Sequence, residues 1–393
     1  MRRFLALLAV AAPLAARPAV AQAPVKTLTK PDVEYAEPFT LINGVRELRD
    51  GRVIVSDTRE KTVQLVDLKA GTAQKIGREG SGPGEYALPA RLLAFPGDTS
   101  AVYDPLNRRF LVIGPDGKAG PFASYESSGE SNGRSITLGA RYTDARGRLY
   151  SAGPNFSIGP NGEPSSADTA PILRLDRATK KTDTVAFVHV PNTVIRSSQG
   201  GTNVSIRAGG GNPFVSVDDW AVTPDGRVAI VRTKDYHVDW YGPDGKRTSG
   251  PAVAYEKIKV TEDDKKAFRE RQATGGTGFV VTRQDGPGGT STSAGVAPPA
   301  AGRIPEPTDW PDVKPAFTGA AAAAAPNGQL WVLRTRPAKD KIPTYDVFDA
   351  TGKVVGRVAL PASTRLVGFG ANTVYLARSD EDDLQYLQRY RLP

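Results

Sequence analysis

One phrase returns six times along the 393 residues, and it predicts an all-β chain folded as a six-bladed β-propeller. The phrase is a tight Gly turn, an apolar strand, a polar loop, a second strand and another Gly turn. A second observation is spacing: successive returns lie about 45 residues apart, which is room for four short antiparallel strands. A third is the end of the chain. The sixth unit stops after its third strand at Pro393, which would leave an unpaired edge, and a spare apolar-polar stretch at 33–40 precedes the first unit. The N-terminal strand is therefore expected to close the last blade.

The first unit sets the pattern. Strand A is expected at 44–48, strand B at 52–56, strand C at 63–68 and strand D at 72–76, with Asp50-Gly51 and Ala70-Gly71 at the turns. Asp-Gly and Asn-Gly pairs supply the positive φ angles that tight hairpins need. The phrase recurs at 97–117, 146–180, 225–245, 327–352 and 370–392. The Ala run 320–325 falls where the fifth unit needs its inner strand, and small side chains suit a crowded axis. Two units are stretched, by a Pro/Gly/Ser loop at 153–170 and by the connection 192–214. The largest insertion spans about 255–309. It opens with a helix over 261–272, where Thr261 is an N-cap and acids fill the first turn. Residues 273–302 then have linker composition, so the insertion is expected to be flexible.

Composition narrows the function classes. The chain is 39% hydrophobic and 24% charged, with 41 Gly and 32 Pro, as many short strands and turns require. Residues 1–21 read as a signal peptide: Arg2 and Arg3, an apolar run too short to span a bilayer, then Ala19-Val20-Ala21. The mature chain, 22–393, is expected in the periplasm or outside the cell, with no transmembrane segment. The absence of Cys excludes disulfides, thiolate nucleophiles, Cys-ligated zinc and a lipoprotein anchor. The net charge of +9 falls somewhat on loss of Arg2, Arg3 and Arg17. That bias favours anionic partners, yet no basic run with interleaved aromatics points to nucleic acid.

The stretch "GREGSGPGEYALPARL" (77–92), followed by a new inner strand, and "YDPLNRRFLVIGPDGK" (103–118) resemble a family of exported bacterial six-bladed β-propellers related to NHL-repeat proteins. The resemblance implies the fold. It carries no activity, because propellers of that kind range from scaffolds to enzymes.

The chemistry-bearing residues are few. Gly80, Gly82 and Gly84 lack the Lys-Ser/Thr and helix start of a phosphate cradle and read as an interblade turn. His189 and His237 are the two histidines and lack ligand spacing. No cofactor is predicted, and an oxygen-only calcium site from scattered Asp and Asn stays open. No Gly-x-Ser-x-Gly elbow marks a serine hydrolase.

Aligning the units on their turn glycines gives a sharper signal. Strand B is expected to end at Asp57, Asp104, Gly153, Arg232, Arg334 and Arg378. These ends share the face that carries the B–C and blade-to-blade loops, so Arg232, Arg334 and Arg378 are expected together and Asp57 and Asp104 beside them. Arg91, Arg141 and Arg365 fall near the starts of inner strands. Such a mouth suits an anion, since the planar guanidinium meets carboxylate, phosphate or sulfate with paired hydrogen bonds. A purely structural pairing, Arg378 with Asp57 for instance, would need no ligand. Trp220, Tyr103, Tyr375 and Trp331 are core or a sugar-stacking surface, with Trp331 read as core. The leading expectation is a ligand-binding or protein-interaction module for an anionic small molecule, glycan or protein. A metal-assisted lyase, lactonase or other hydrolase at the channel mouth is the alternative.

Overall fold

In the computed structural model, placement is described for residues 23–124, 128–131, 134–137, 139–158, 164–191, 194–197, 203–207, 212–273, 279–286, 289–296, 307 and 309–393. The expected signal peptide lies outside them. Six four-stranded antiparallel units form the body. Blade one is Ile42–Glu47, Val53–Asp57, Thr62–Asp67 and Thr72–Lys75. Blade two is Arg91–Ala94, Ser100–Asp104, Arg109–Ile113 and Ala119–Ser124. Blade three is Tyr142–Thr143, Leu149–Ala152, Thr169–Asp176 and Lys181–His189. Blade four is Asp219–Val222, Val228–Arg232, His237–Tyr241 and Arg247–Ser249. Blade five runs from Ala322–Ala324 through Leu330–Leu333 and Thr344–Phe348 to Val354–Ala359. Blade six has Thr364–Phe369, Thr373–Ser379 and Gln385–Arg391 from the C-terminal end of the chain.

The N-terminus supplies the missing strand. Val33 and Glu34 pair antiparallel with Arg389 and Gln388, and Phe39 bridges Gln385. Tyr35 and Phe39 are buried against Val53, Val55, Tyr375 and Leu387, so this latch adds apolar burial to its hydrogen bonds. A second N-terminal strand was not anticipated: Val25–Thr27 adds in parallel to the outer strand of blade five.

The core shows that the blades form a closed ring. Buried apolar residues fall into six clusters, and each cluster joins two neighbouring blades: one with two, two with three, three with four, four with five, five with six, and six with one. The second strand of a blade is therefore largely buried on both faces, as in the fully buried Val53–Asp57 and in Ser100–Asp104, where only Tyr103 is partly exposed. Blades approach closely where glycines meet. A Cβ on Gly250 would clash with the Gly352 carbonyl oxygen of the next blade. The Gly-rich stretch after blade one is an interblade turn. Arg78–Glu79 pairs with Glu85–Tyr86, and the Glu85 carboxylate accepts the Gly82 N–H at 2.7 Å.

The two faces of the ring differ. On one, strands A and B, and C and D, are joined by tight turns with positive φ at Gly51, Gly71, Gly117, Gly147, Gly226, Gly245, Gly328 and Gly352. The long connections all leave from the other face, hereafter the upper face. They carry the hairpins Ser128–Ser131 with Arg134–Thr137 and Phe156–Ile158 with Pro164–Ser166. They also carry a four-stranded sheet of Val194–Ser197, Asn203–Arg207, Phe279–Gly286 and Gly289–Val296. Strands at 279–296 correct the linker reading of 273–302: the β-branched run Val280-Val281-Thr282 outweighs the Gly-rich composition around it. The sheet also joins two insertions that the sequence separates, because 203–207 pairs with 279–286.

The expected helix is Glu262–Ala273. The Asp264 carboxylate reaches back to accept the Thr261 N–H and hydroxyl at 2.9 Å each, a capping box. Its other oxygen accepts from Lys314 Nζ at 2.6 Å, and both side chains are buried. Burial alone would push the Asp264 carboxyl up, but the Lys314 hydrogen bond and the Thr261 N–H hold it below its ordinary value. A carboxylate with a depressed folded pKa contributes stability above its unfolded pKa and loses it as pH falls. Asp264→Ala, which strands the Lys314 ammonium, should cost about 3–5 kcal/mol at neutral pH and clearly less near pH 3. Urea midpoints at the two pH values check this.

Candidate functional site

Register defines the upper mouth of the central channel. In blades two, four and six, the inner-strand residue opposite the one before the expected strand-B end (Asp104, Arg232, Arg378) is Arg91, Asp219 and Arg365, facing Tyr103, Val231 and Ala377. In blade one a bulge places Asn43 there, and in blade three Arg141 stands just before Tyr142. Blade five contributes its Ala run.

These residues form a belt around the mouth. Arg365 Nη2 donates to the Ile42 carbonyl at 2.7 Å, and Asn43 Nδ2 donates to the Ala90 carbonyl. Arg91 Nη1 donates to the Ala140 carbonyl at 3.3 Å, and Arg141 Nη2 to Asp219 Oδ1 at 2.7 Å. Asp219 Oδ2 accepts the Ala322 N–H at 2.7 Å. Each link passes from one blade to the next, from blade six through one, two, three and four to five.

The charges along the belt are unevenly compensated. Arg141 is held by Asp219 and lies near the faces of Tyr142 and Trp220, 5.2 and 5.3 Å from the ring centres. Burial would lower its pKa, but the neighbouring Tyr142 and the Asp219 charge outweigh that and raise it. Arg91 and Arg365 have no carboxylate partner among the described residues, and both are exposed to the channel. Burial lowers the pKa of each, and for Arg91 the like charge of Arg141 adds to the effect. A cation so placed gains from any anion that approaches it.

The other expected site residues are placed differently. Arg378 grips Glu34 of the latch through two bonds of 2.9 and 3.0 Å, not Asp57. Arg334 lies 3.6 Å from the buried Asp346, which also accepts from Arg357 at 2.8 Å and from Tyr236. Arg232 bridges Asp218 and Asp239 at 2.8 Å each. Asp57 and Asp104 are buried and turned toward the backbone. Asp57 accepts the N–H groups of Thr40, Leu41, Arg59 and Glu60; Asp104 accepts those of Ala87, Leu88 and Asn107. They tie each incoming loop to the B–C turn. The structure thus brings Arg91 and Arg141 together with Arg365 around one opening, and commits Arg232, Arg334 and Arg378 to ion pairs nearer the rim. Trp220, Trp331 and Tyr375 are core, and Tyr103 is half-buried beside Arg91.

Asn43 and Asp219 were not singled out by sequence. A bulge hides the first, and the second carries the opposite charge to the residues at its register. His189 and His237, far apart in sequence, line one cleft of about 740 Å³ between blades three and four. At the opposite face the channel opens into a cavity of about 690 Å³ lined by all six blades. Among the described residues no group of three or more His, Asp or Glu side chains is placed to share a metal ion, and no helix is long and apolar enough to cross a membrane.

This architecture defines a class: a six-bladed β-propeller with its long connections on one face and an arginine-bearing mouth. No family model and no curated protein matches the chain. Solved structures that it resembles include a Bacteroides fragilis protein named as exported, 11% identical with a TM-score of 0.43, aligned over 94% of this chain and 99% of that one. A gluconolactonase of Xanthomonas campestris is 10% identical with a TM-score of 0.36 over 91% of each chain. Virginiamycin B lyase of Staphylococcus aureus is 12% identical with a TM-score of 0.34, over 92% of this chain and 96% of that one.

Proposed function

We propose that this chain is an exported binding protein that takes a small anionic ligand at the upper mouth of its channel. The observation that carries the reading is the pair Arg91 and Arg365. They flank blade one, face the channel, and lack a carboxylate partner among the described residues. Each spends one nitrogen on the belt, which leaves the rest of a five-donor fork for a ligand. Arg141 adds a third cation, partly offset by Asp219. The long connections leave from this same face. Low-dielectric walls strengthen attraction to an anion and raise its rate of capture.

The test is titration calorimetry with phosphate, sulfate and citrate. Arg91→Ala combined with Arg365→Ala should weaken binding of the preferred anion at least tenfold, and affinity in the parent should fall as salt is raised. Equal affinity in parent and double variant would retire the reading. Substituting Arg232 or Arg334 is a poorer test, because each would remove one partner of a buried carboxylate, Asp239 or Asp346, and lower stability as well.

A further inference from the structure

We infer that the cleft between blades three and four is a second, separate site, and that it takes a hydroxylated carboxylate of monosaccharide size. The cleft lies off the channel axis. Its walls are the end of strand D of blade three, the 216–218 connection, the B–C turn of blade four and Tyr255. Its volume, about 740 Å³, is that of a small-molecule pocket.

The turn that forms its floor is rigid. Tyr236 has φ of 42°, is fully buried in the core shared with blade five, and donates its hydroxyl to Asp346 at 2.7 Å. The carboxylates of the cleft are already engaged. Asp218 accepts the His189 and Thr233 N–H groups and pairs with Arg232. Asp239 accepts from Arg232, Arg247 and Ser249. Asp235 holds His237 Nδ1 at 2.6 Å.

The groups left over are of two kinds, a cation and neutral or accepting polar groups. The Lys234 ammonium is exposed and has no partner among the described residues, and neither has the His189 ring. The Thr233 hydroxyl is the most telling. Thr233 is 6% exposed, and its Oγ1 is buried with no hydrogen-bond partner. A buried hydroxyl without a partner costs free energy, and because Thr233 is among the residues lining the cleft, a polar ligand group that reaches Oγ1 would remove that cost. The full positive charge of Lys234 asks for a carboxylate. The hydroxyl of Thr233, the His189 ring and the outer oxygen of Asp235 ask for hydroxyl groups, which donate and accept. An acidic monosaccharide combines both.

The experiment is calorimetric titration with D-glucuronate, with D-glucose as the uncharged control. Glucuronate should bind the parent protein, and glucose at least tenfold more weakly. Lys234→Ala should weaken glucuronate at least tenfold. Thr233→Val keeps the shape while removing the orphan hydroxyl. It should weaken glucuronate several-fold and leave the urea midpoint equal or higher, a combination that a structural threonine would not give. In the Arg91→Ala, Arg365→Ala background, which removes the channel-mouth cations, the part of glucuronate binding that Lys234→Ala abolishes should persist, which separates this site from the channel mouth. The inference falls if the parent gives no glucuronate binding, if glucose binds equally, if Lys234→Ala leaves the affinity unchanged, or if the loss follows the two channel arginines instead.

Discussion

Replacing Tyr35 and Phe39 together by alanine should bring the chain to the edge of unfolding at room temperature. Both side chains are buried, at 5% and 4% exposure, and both sit in the cluster that joins blade six to blade one. An aromatic-to-alanine change in a core costs about 3–5 kcal/mol, and a domain of this kind has about 5–15 kcal/mol in total. The two rings lie 5.9 Å apart, so their losses will not add perfectly. Even so, the pair removes most of the margin, because it opens the single joint where the ring depends on a segment remote in sequence. Circular dichroism and urea unfolding of the single and double variants check this. Deleting residues 23–27 is the control. Val25–Thr27 is exposed and pairs only with an outer edge, so its loss should cost far less. A double alanine variant that unfolds cooperatively near the parent midpoint would show that the latch is dispensable.

The ring was legible in the sequence because its signal is periodic. Six turn glycines with the same flanking strands announce six blades, and the missing fourth strand of the last one announces where Val33 and Glu34 must go. Even the Ala run proved informative, since Ala322–Ala324 is the inner strand of blade five. The insertions were less legible. Their strands pair across a gap of more than seventy residues, and no local pattern reports such a partner. The mouth was legible in part. Counting from the turn glycines finds the ends of strand B, but it does not say which way an end residue points. Asp57 and Asp104 have the right position for a ligand site and spend their oxygens on backbone N–H groups instead. Arg232, Arg334 and Arg378 find partners that lie on neighbouring strands or on the N-terminal latch, out of view of any alignment of blades. Arg91 and Arg365, which the sequence places only near the starts of inner strands, are the ones left without counter-charge. Charge compensation is a property of three-dimensional neighbours, and the repeat encodes only the positions.

Asp219 shows how the belt couples stability to ligand capture. Its carboxylate is 3% exposed and joins three blades: it accepts from Arg141 of blade three and from the Ala322 N–H of blade five. Asp219→Ala should therefore cost about 2–4 kcal/mol, since it leaves a half-buried guanidinium and a buried N–H unpaired. The double change Arg141→Met with Asp219→Leu should cost less than the single one, because no charge is stranded; urea midpoints of the two variants decide it. The same single variant should bind an anion more tightly for as long as it stays folded. Without Asp219, Arg91, Arg141 and Arg365 face the channel with no counter-charge among the belt residues, and the full attraction of Arg141 becomes available to the ligand. Stability and affinity should move in opposite directions. If affinity instead falls with stability, the carboxylate's role is to aim Arg141 at the ligand, and the mouth works through orientation of that guanidinium more than through its excess of charge.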